Sequence, residues 1–111
     1  MPEKLWKKIE RAFCRFFGTE RYLQKGKNVP DCMTMNLIIE IKHRKQLPNW
    51  IDLAWNGLLV KRDNIQRIQP DPDQIKIPIL CLHKKGDGIP ESLVITSAAH
   101  FKWLLMQANK I

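Results

Sequence analysis

VPDCMTMNLIIEIKHRK, Val29 to Lys45, is the stretch whose reading decides the fold. Read as a strand, Leu37 to Lys42 alternates between two faces, with charges at Glu40 and Lys42 on one of them. Successive side chains on a strand point to opposite faces, so Ile38, Glu40 and Lys42 share one face while Leu37, Ile39 and Ile41 share the other. Asp31 to Thr34 reads as the preceding strand of a β-hairpin that turns about Met35-Asn36. Paired residue numbers then have a constant sum, which sets Asp31 opposite Glu40. Met-Asn is not a pair that two-residue primed turns favour. A four-residue loop on the same centre keeps the pairing, and a three-residue loop shifts Asp31 away from Glu40. Cross-strand partners have Cβ atoms about 4.5–5.5 Å apart, and like charges there repel unless something neutralises them. A divalent cation would do so; the plainer alternative is a solvated strand whose charges serve solubility.

Around this hairpin lie 111 residues, enough for one core, so a single domain over 1–111 is expected. The formal net charge is +8, with lysines and arginines spread along the chain. Such a balance suits a polyanion, bound through phosphate contacts that depend on salt and little on sequence. Solubility alone is the competing explanation. The three cysteines, Cys14, Cys32 and Cys81, are odd in number and lack C-x-x-C spacing, which predicts reduced thiols in a cytoplasmic protein and argues against a disulfide frame or zinc ribbon. Cys32 and Cys81 stand in apolar strand-like runs and are expected to be buried. The histidines, His43, His83 and His100, are too scattered for a pre-set metal cluster. No run of 18 apolar residues and no hydrophobic signal core are present, so neither a membrane span nor secretion is supported.

Outside the hairpin, Pro2 to Phe17 carries Leu5, Trp6, Ile9, Ala12, Phe13, Phe16 and Phe17 at helical spacing, and Gly18 ends that helix. Glu10 borders the stripe, and Arg11 belongs to the basic remainder. A polar, basic loop follows, with Arg21, Lys25 and Lys27 leading into Pro30-Asp31. Beyond Lys42, the residues His43, Arg44 and Lys45 extend the basic face; with Arg11, Arg21, Lys25 and Lys27 they are the candidate phosphate contacts. Pro48-Asn49 opens a helix to about Ile68, capped by Asn49 or Asp52. Its apolar set, from Trp50 to Val60, is too wide for one stripe against one sheet, so Trp50 and Trp55 belong to a core or to a homodimer interface. Gln69 to Gln74 reads as a turn, where Asp71 and Asp73 are turn formers and no metal pair. Lys76 to His83 and Leu93 to Thr96 read as strands joined through a basic turn at Lys84-Lys85. Ser97 caps a last helix bearing Phe101, Trp103, Leu104, Leu105 and Met106. This order of elements predicts an α/β domain with a mixed central β-sheet flanked by helices.

Pro30-Asp31, then Glu40-Ile41-Lys42 at the end of a hydrophobic strand, with Glu10 in an N-terminal amphipathic helix, resembles the PD-(D/E)xK nuclease superfamily. Within it the chain looks most like Holliday junction resolvases of the archaeal and phage type, over roughly its first half. The resemblance implies a restriction-endonuclease-like core. It also implies Asp31, Glu40 and Glu10 around Mg²⁺, with Mn²⁺ able to substitute, and Lys42 beside the attacking water. Many relatives have a glutamine on the helix after the lysine; the similar position here is Asn56, a departure. Mg²⁺ takes oxygen ligands, usually one or two carboxylates with waters and phosphate oxygens. Such a metal polarises a scissile phosphate and lowers the pKa of a bound water. Lys42 is then a proton acceptor or an electrostatic clamp; the sequence leaves both open.

The function implied is a Mg²⁺-dependent endonuclease that resolves four-way DNA junctions by paired symmetric nicks. It would act as a homodimer whose two-fold matches that of the junction, in the cytoplasm, or the host cytoplasm for a phage-encoded chain. The alternatives are the same site on another DNA (mismatch or flap nicking, restriction-type cleavage, exonuclease action) and a catalytically silent DNA-binding module.

Overall fold

Leu5–Phe16 forms α1 and ends as Gly18 predicts. Gly18 takes φ +84°, its N–H donates to Arg15 O (3.0 Å), and Thr19 N–H donates to Cys14 O (2.9 Å). This pair of bonds is the Schellman closure, which satisfies the last helical carbonyls and is accessible to glycine because it lacks Cβ. The structure is a computed structural model that describes residues 4–22, 29–68 and 76–110. The expected start of α1 at Pro2, the contacts at Lys25 and Lys27, and the turn from Gln69 to Gln74 lie outside the described residues.

The chain divides into two compact units. One comprises Met1–Lys45 with Lys102–Ile111, and the other Gln46–Phe101. In the first unit, Cys32–Met33 (β1) pairs antiparallel with Ile38–Ile39 (β2), Cys32 opposite Ile39 and Met33 opposite Ile38. The turn between them is built by Thr34. Its N–H donates to Leu37 O (3.0 Å), while its hydroxyl accepts from Asn36 N (3.2 Å) and Leu37 N (3.1 Å). Among the described non-glycine residues only Asn109 has positive φ, so Met35 and Asn36 form no primed turn. The threonine side chain replaces the backbone carbonyl that a two-residue turn would use.

The segment after α1 runs beside β1: Thr19 Oγ1 donates to Met33 O (2.7 Å) and Tyr22 N to Asp31 O (3.0 Å). A Cys14–Cys32 disulfide joins α1 to β1, with Cα atoms 6.1 Å apart. This overturns the expectation of three reduced thiols. Spacing in sequence cannot reveal that two cysteines 18 positions apart meet across a helix and a strand. The two half-cystines are completely buried, and Phe17 is buried in the same unit. The contact face of α1 is accordingly Glu10, Cys14 and Phe17, at helical spacing. The predicted stripe is left largely outside it, with Leu5, Phe13 and Phe16 exposed and Lys102 Nζ 4.5 Å from the Phe16 ring centre.

In the second unit Asn49–Ile68 forms α2, with the predicted bounds. Its first bonds run from Ile51 N and Asp52 N to Pro48 O, so Asn49 is the first helical residue and not the cap. Leu80–Leu82 (β3) pairs antiparallel with Leu93–Ile95 (β4), Leu80 opposite Ile95 and Leu82 opposite Leu93. α2 packs on β3. Leu80 and Leu82 share one face, so Cys81 and Val94 share the other, and Cys81 is a free, exposed thiol instead of a buried one. The turn at Lys84-Lys85 closes with Asp87 N donating to Lys84 O (3.0 Å) and Gly86 at φ +93°. Ala98–Gln107 forms α3, in which the boundary between units falls; Ser97 Oγ caps it by accepting from His100 N (3.1 Å).

The architecture is thus mixed, with three helices and two antiparallel hairpins among the described residues. Each hairpin is its own two-stranded sheet, whereas one mixed central sheet was the expectation. No helix among the described residues is long and apolar enough to cross a membrane.

Candidate functional site

The hairpin register carries the site. Cys32 pairs with Ile39 and Met33 with Ile38, the predicted register, and the same sum continued beyond the ladder would set Asp31 opposite Glu40. Exposure follows the alternation: Ile38, Glu40 and Lys42 are exposed, while Leu37, Ile39 and Ile41 are half-buried. Lys42 Nζ lies 3.7 Å from Glu40 Oε1, both side chains open to solvent. Three of the four motif residues therefore belong to one end of one hairpin.

The Pro-Asp dyad has a structural task there. Bonded and non-bonded pairs alternate along an antiparallel ladder, so with Thr34 and Leu37 bonded the ladder would continue through Cys32–Ile39 to Pro30–Ile41. Proline has no N–H to give to Ile41 O, so the bonded pair cannot form. Asp31 Oδ2 stands in for the Pro30 carbonyl and accepts from Ile41 N at 2.7 Å. The remaining oxygen, Oδ1, has no hydrogen-bond partner among the described residues. Asp31 thereby closes the ladder with one oxygen.

Glu10 is placed differently. Arg21 Nε donates to its Oε2 at 2.5 Å, and the side chains of Arg21 and Glu10 are only 9% and 12% exposed. The Arg21 guanidinium also lies 5.4 Å from the Trp6 ring centre. A guanidinium held between a carboxylate and an aromatic face is a packed element of the fold, so Arg21 is not the exposed phosphate contact expected of it. Arg11 is half-buried, and His43, Arg44 and Lys45 are exposed in the extended segment after β2, with Arg44 Nη1 donating to His43 O (3.0 Å). Asn56 is exposed on α2, in the other unit.

Among the described residues no three His, Cys, Asp or Glu side chains converge as a metal ion would require. Mg²⁺ needs only one or two carboxylates when waters and phosphate complete its shell, so Asp31 with Glu40 fits it. Glu10, already paired with Arg21, does not fit as a third ligand in this arrangement.

The charge is divided unequally between the units. The first holds thirteen Lys and Arg against five Asp and Glu; the second holds six of each. All of the formal +8 therefore resides in the unit that carries the hairpin. No protein-family model, curated protein or solved structure matches the chain. Its own residues must carry the functional reading.

Sequence reasoning missed the groups that fasten α1 to the hairpin: Cys14 with Cys32, Thr19 on Met33, and Trp6 beneath Arg21. One signal was present. Cys14 stands one helical turn after Glu10, and Cys32 directly follows Asp31, so each cysteine borders a candidate carboxylate.

Proposed function

We propose that the chain is a Mg²⁺-dependent, structure-selective DNA endonuclease that resolves four-way junctions by paired nicks. What carries this reading is the hairpin end, where the continued register would set Asp31 opposite Glu40 and Lys42 lies 3.7 Å from Glu40, in the unit that holds the entire net charge. Asp31 and Glu40 would hold the metal. When bound, Mg²⁺ supplies Lewis-acid polarisation of the phosphate and acidifies a water. Lys42 contributes a positive charge beside the phosphate, and His43, Arg44 and Lys45 hold the backbone on either side of it. The reading brings with it a restriction-endonuclease-like core and a cytoplasmic setting.

A homodimer is part of the proposal. Trp50, Leu53 and Val60 are exposed on α2, and an added Cβ on Gly57 between them would meet no neighbour within 4 Å. This face, on the electrically neutral unit, suits a second copy, whose two-fold would match that of the junction. A second reading also has an observation in its favour: the Glu10–Arg21 pair withdraws one acidic motif residue, as a silent DNA-binding module would tolerate.

The test is to incubate the chain with labelled four-way junction, linear duplex, flap and single strand, in Mg²⁺ or EDTA, with Glu40→Ala as control. Symmetric nicks confined to the junction and lost in EDTA and in the variant support the resolvase. Metal-dependent cutting of the other DNAs keeps the nuclease and discards the junction. Binding without cutting by well-folded protein favours the silent module.

A further inference from the structure

We infer that the Cys14–Cys32 disulfide is a redox-controlled latch on the basic unit. The bond joins α1 to β1, and its two half-cystines are the only fully buried side chains among the described residues. Besides them, Phe17 is the buried apolar residue of this unit among the described residues. A unit of this size with so small a core depends on a staple, because burial of apolar surface does not offset the entropy of ordering the chain. The bond also borders both acidic elements. Cys14 lies one turn beyond Glu10 on the contact face of α1, and Cys32 follows Asp31, whose backbone carbonyl accepts from Tyr22 N at 3.0 Å. Opening the bond removes the covalent tie between α1 and β1 and leaves Thr19 on Met33 and Tyr22 on Asp31 to hold the segment beside the hairpin.

The chemistry is thiol–disulfide exchange. A small dithiol attacks one sulfur as a thiolate, forms a mixed disulfide and releases one protein thiolate. Its second thiol then closes onto the first, leaving two protein thiols and a cyclic disulfide, a two-electron transfer from dithiol to protein. A low-molecular-weight disulfide such as oxidised glutathione drives the reverse. In a cytoplasmic setting such bonds are transient and serve sensing, which is the use assigned here. Cys81, exposed and in the other unit, takes no part and serves as an internal control.

The latch is judged on the full chain without reference to activity; its effect on DNA rests on the function proposed above. After treatment with oxidised glutathione, denaturation and alkylation with iodoacetamide, Cys81 alone should carry an added group, glutathionyl or carbamidomethyl, and after dithiothreitol all three cysteines should be alkylated. Three labels in the oxidised sample would overturn the latch. Hydrogen exchange read by mass spectrometry should show protection of the Tyr22, Thr34 and Ile41 amides falling on the order of a hundredfold on reduction, as closure of a loop of this length implies. Amides of β3 and β4 should keep theirs, and reoxidation should restore the loss. Equal protection in both states would also overturn it. Cys14→Ser should behave as the reduced wild type with or without dithiothreitol, and Cys81→Ser as wild type. If Cys14→Ser does not fold, the reduction and reoxidation cycle of the wild type decides. Junction affinity that falls on reduction and returns on reoxidation extends the latch to the proposed function. Absence of affinity in either state, with the exchange result intact, removes the DNA reading and leaves the latch standing.

Discussion

Asp31 closes the hairpin ladder and is proposed to hold the metal, and replacing it by alanine and by asparagine separates the two. Its Oδ2 accepts the Ile41 amide at 2.7 Å in a half-buried position, where Pro30 has ended the ladder. Alanine leaves that amide without an acceptor. A hydrogen bond to a charged group contributes about 1.5–3 kcal/mol, and partial exposure puts this one near the lower end. Asparagine keeps an acceptor oxygen of the same reach and gives up only the charge, for which about 0.5 kcal/mol is a reasonable loss. The expected order of stability is therefore wild type, then Asp31→Asn, then Asp31→Ala, with about 1 kcal/mol between the two variants. Urea titration resolves this: with m near 1.5 kcal/mol/M, the alanine midpoint should fall about 1 M below wild type. Exchange of the Ile41 amide should quicken about tenfold in the alanine variant, since 1.4 kcal/mol is a factor of ten. Metal-dependent cutting should be lost in both variants, because an amide is a poor ligand for a hard dication. Equal destabilisation by the two replacements would sink the ladder argument. Wild-type cutting by Asp31→Asn would remove Asp31 from the metal.

Other perturbations test the remaining parts. The Glu10–Arg21 pair is nearly buried, so Arg21→Met should cost about 2–4 kcal/mol by stranding the carboxylate. A double-mutant cycle with Glu10→Gln should return a coupling of about 1 kcal/mol or more, and zero coupling would dismiss the pair. Arg44→Ala with Lys45→Ala should lower the slope of log affinity against log salt by about 2, whereas Lys84→Ala with Lys85→Ala, in the neutral unit, should leave it unchanged; the reverse pattern would misplace the DNA. Leu53 is 73% exposed, so Leu53→Glu should leave helix content intact while turning a dimer into a monomer in sedimentation. A wild type that sediments as a monomer while cutting at full rate would end the dimer proposal.

Legibility in the sequence tracks how local the cause is. Gly18, Ser97 and the bounds of α2 are set by residues within a few positions of one another, and they were readable. The hairpin register was readable for a less direct reason. Met35-Asn36 could not form a primed turn, yet the Thr34 hydroxyl supplies the missing acceptor and keeps the same centre. What failed depended on partners far along the chain. The apolar stripe of α1 indicated which residues could face a core, but Cys14 bonded to Cys32 and Glu10 paired with Arg21 turn a different face inward. Cys81 was misread because an apolar run alone does not say which face α2 covers. At the site the same division holds: Asp31, Glu40 and Lys42 come from one hairpin and were legible together, while the position of Glu10 depends on an arginine eleven residues away.

The partition of charge bears on how the molecule would assemble. A unit of formal charge +8 repels its own copy and attracts a phosphate backbone, and both forces weaken as salt rises. A unit with six charges of each sign does neither at long range, and it exposes Trp50, Leu53 and Val60 along one helix. Association through α2 would therefore gain from apolar burial without the repulsion that contact between hairpin units would bring, and would depend little on salt. DNA binding through the hairpin unit would depend on salt steeply. Assembly and DNA affinity should accordingly respond to different perturbations. If Leu53→Glu changed the salt slope, or Arg44→Ala changed the sedimentation of the free protein, the two tasks would share a surface and the division between units would be wrong.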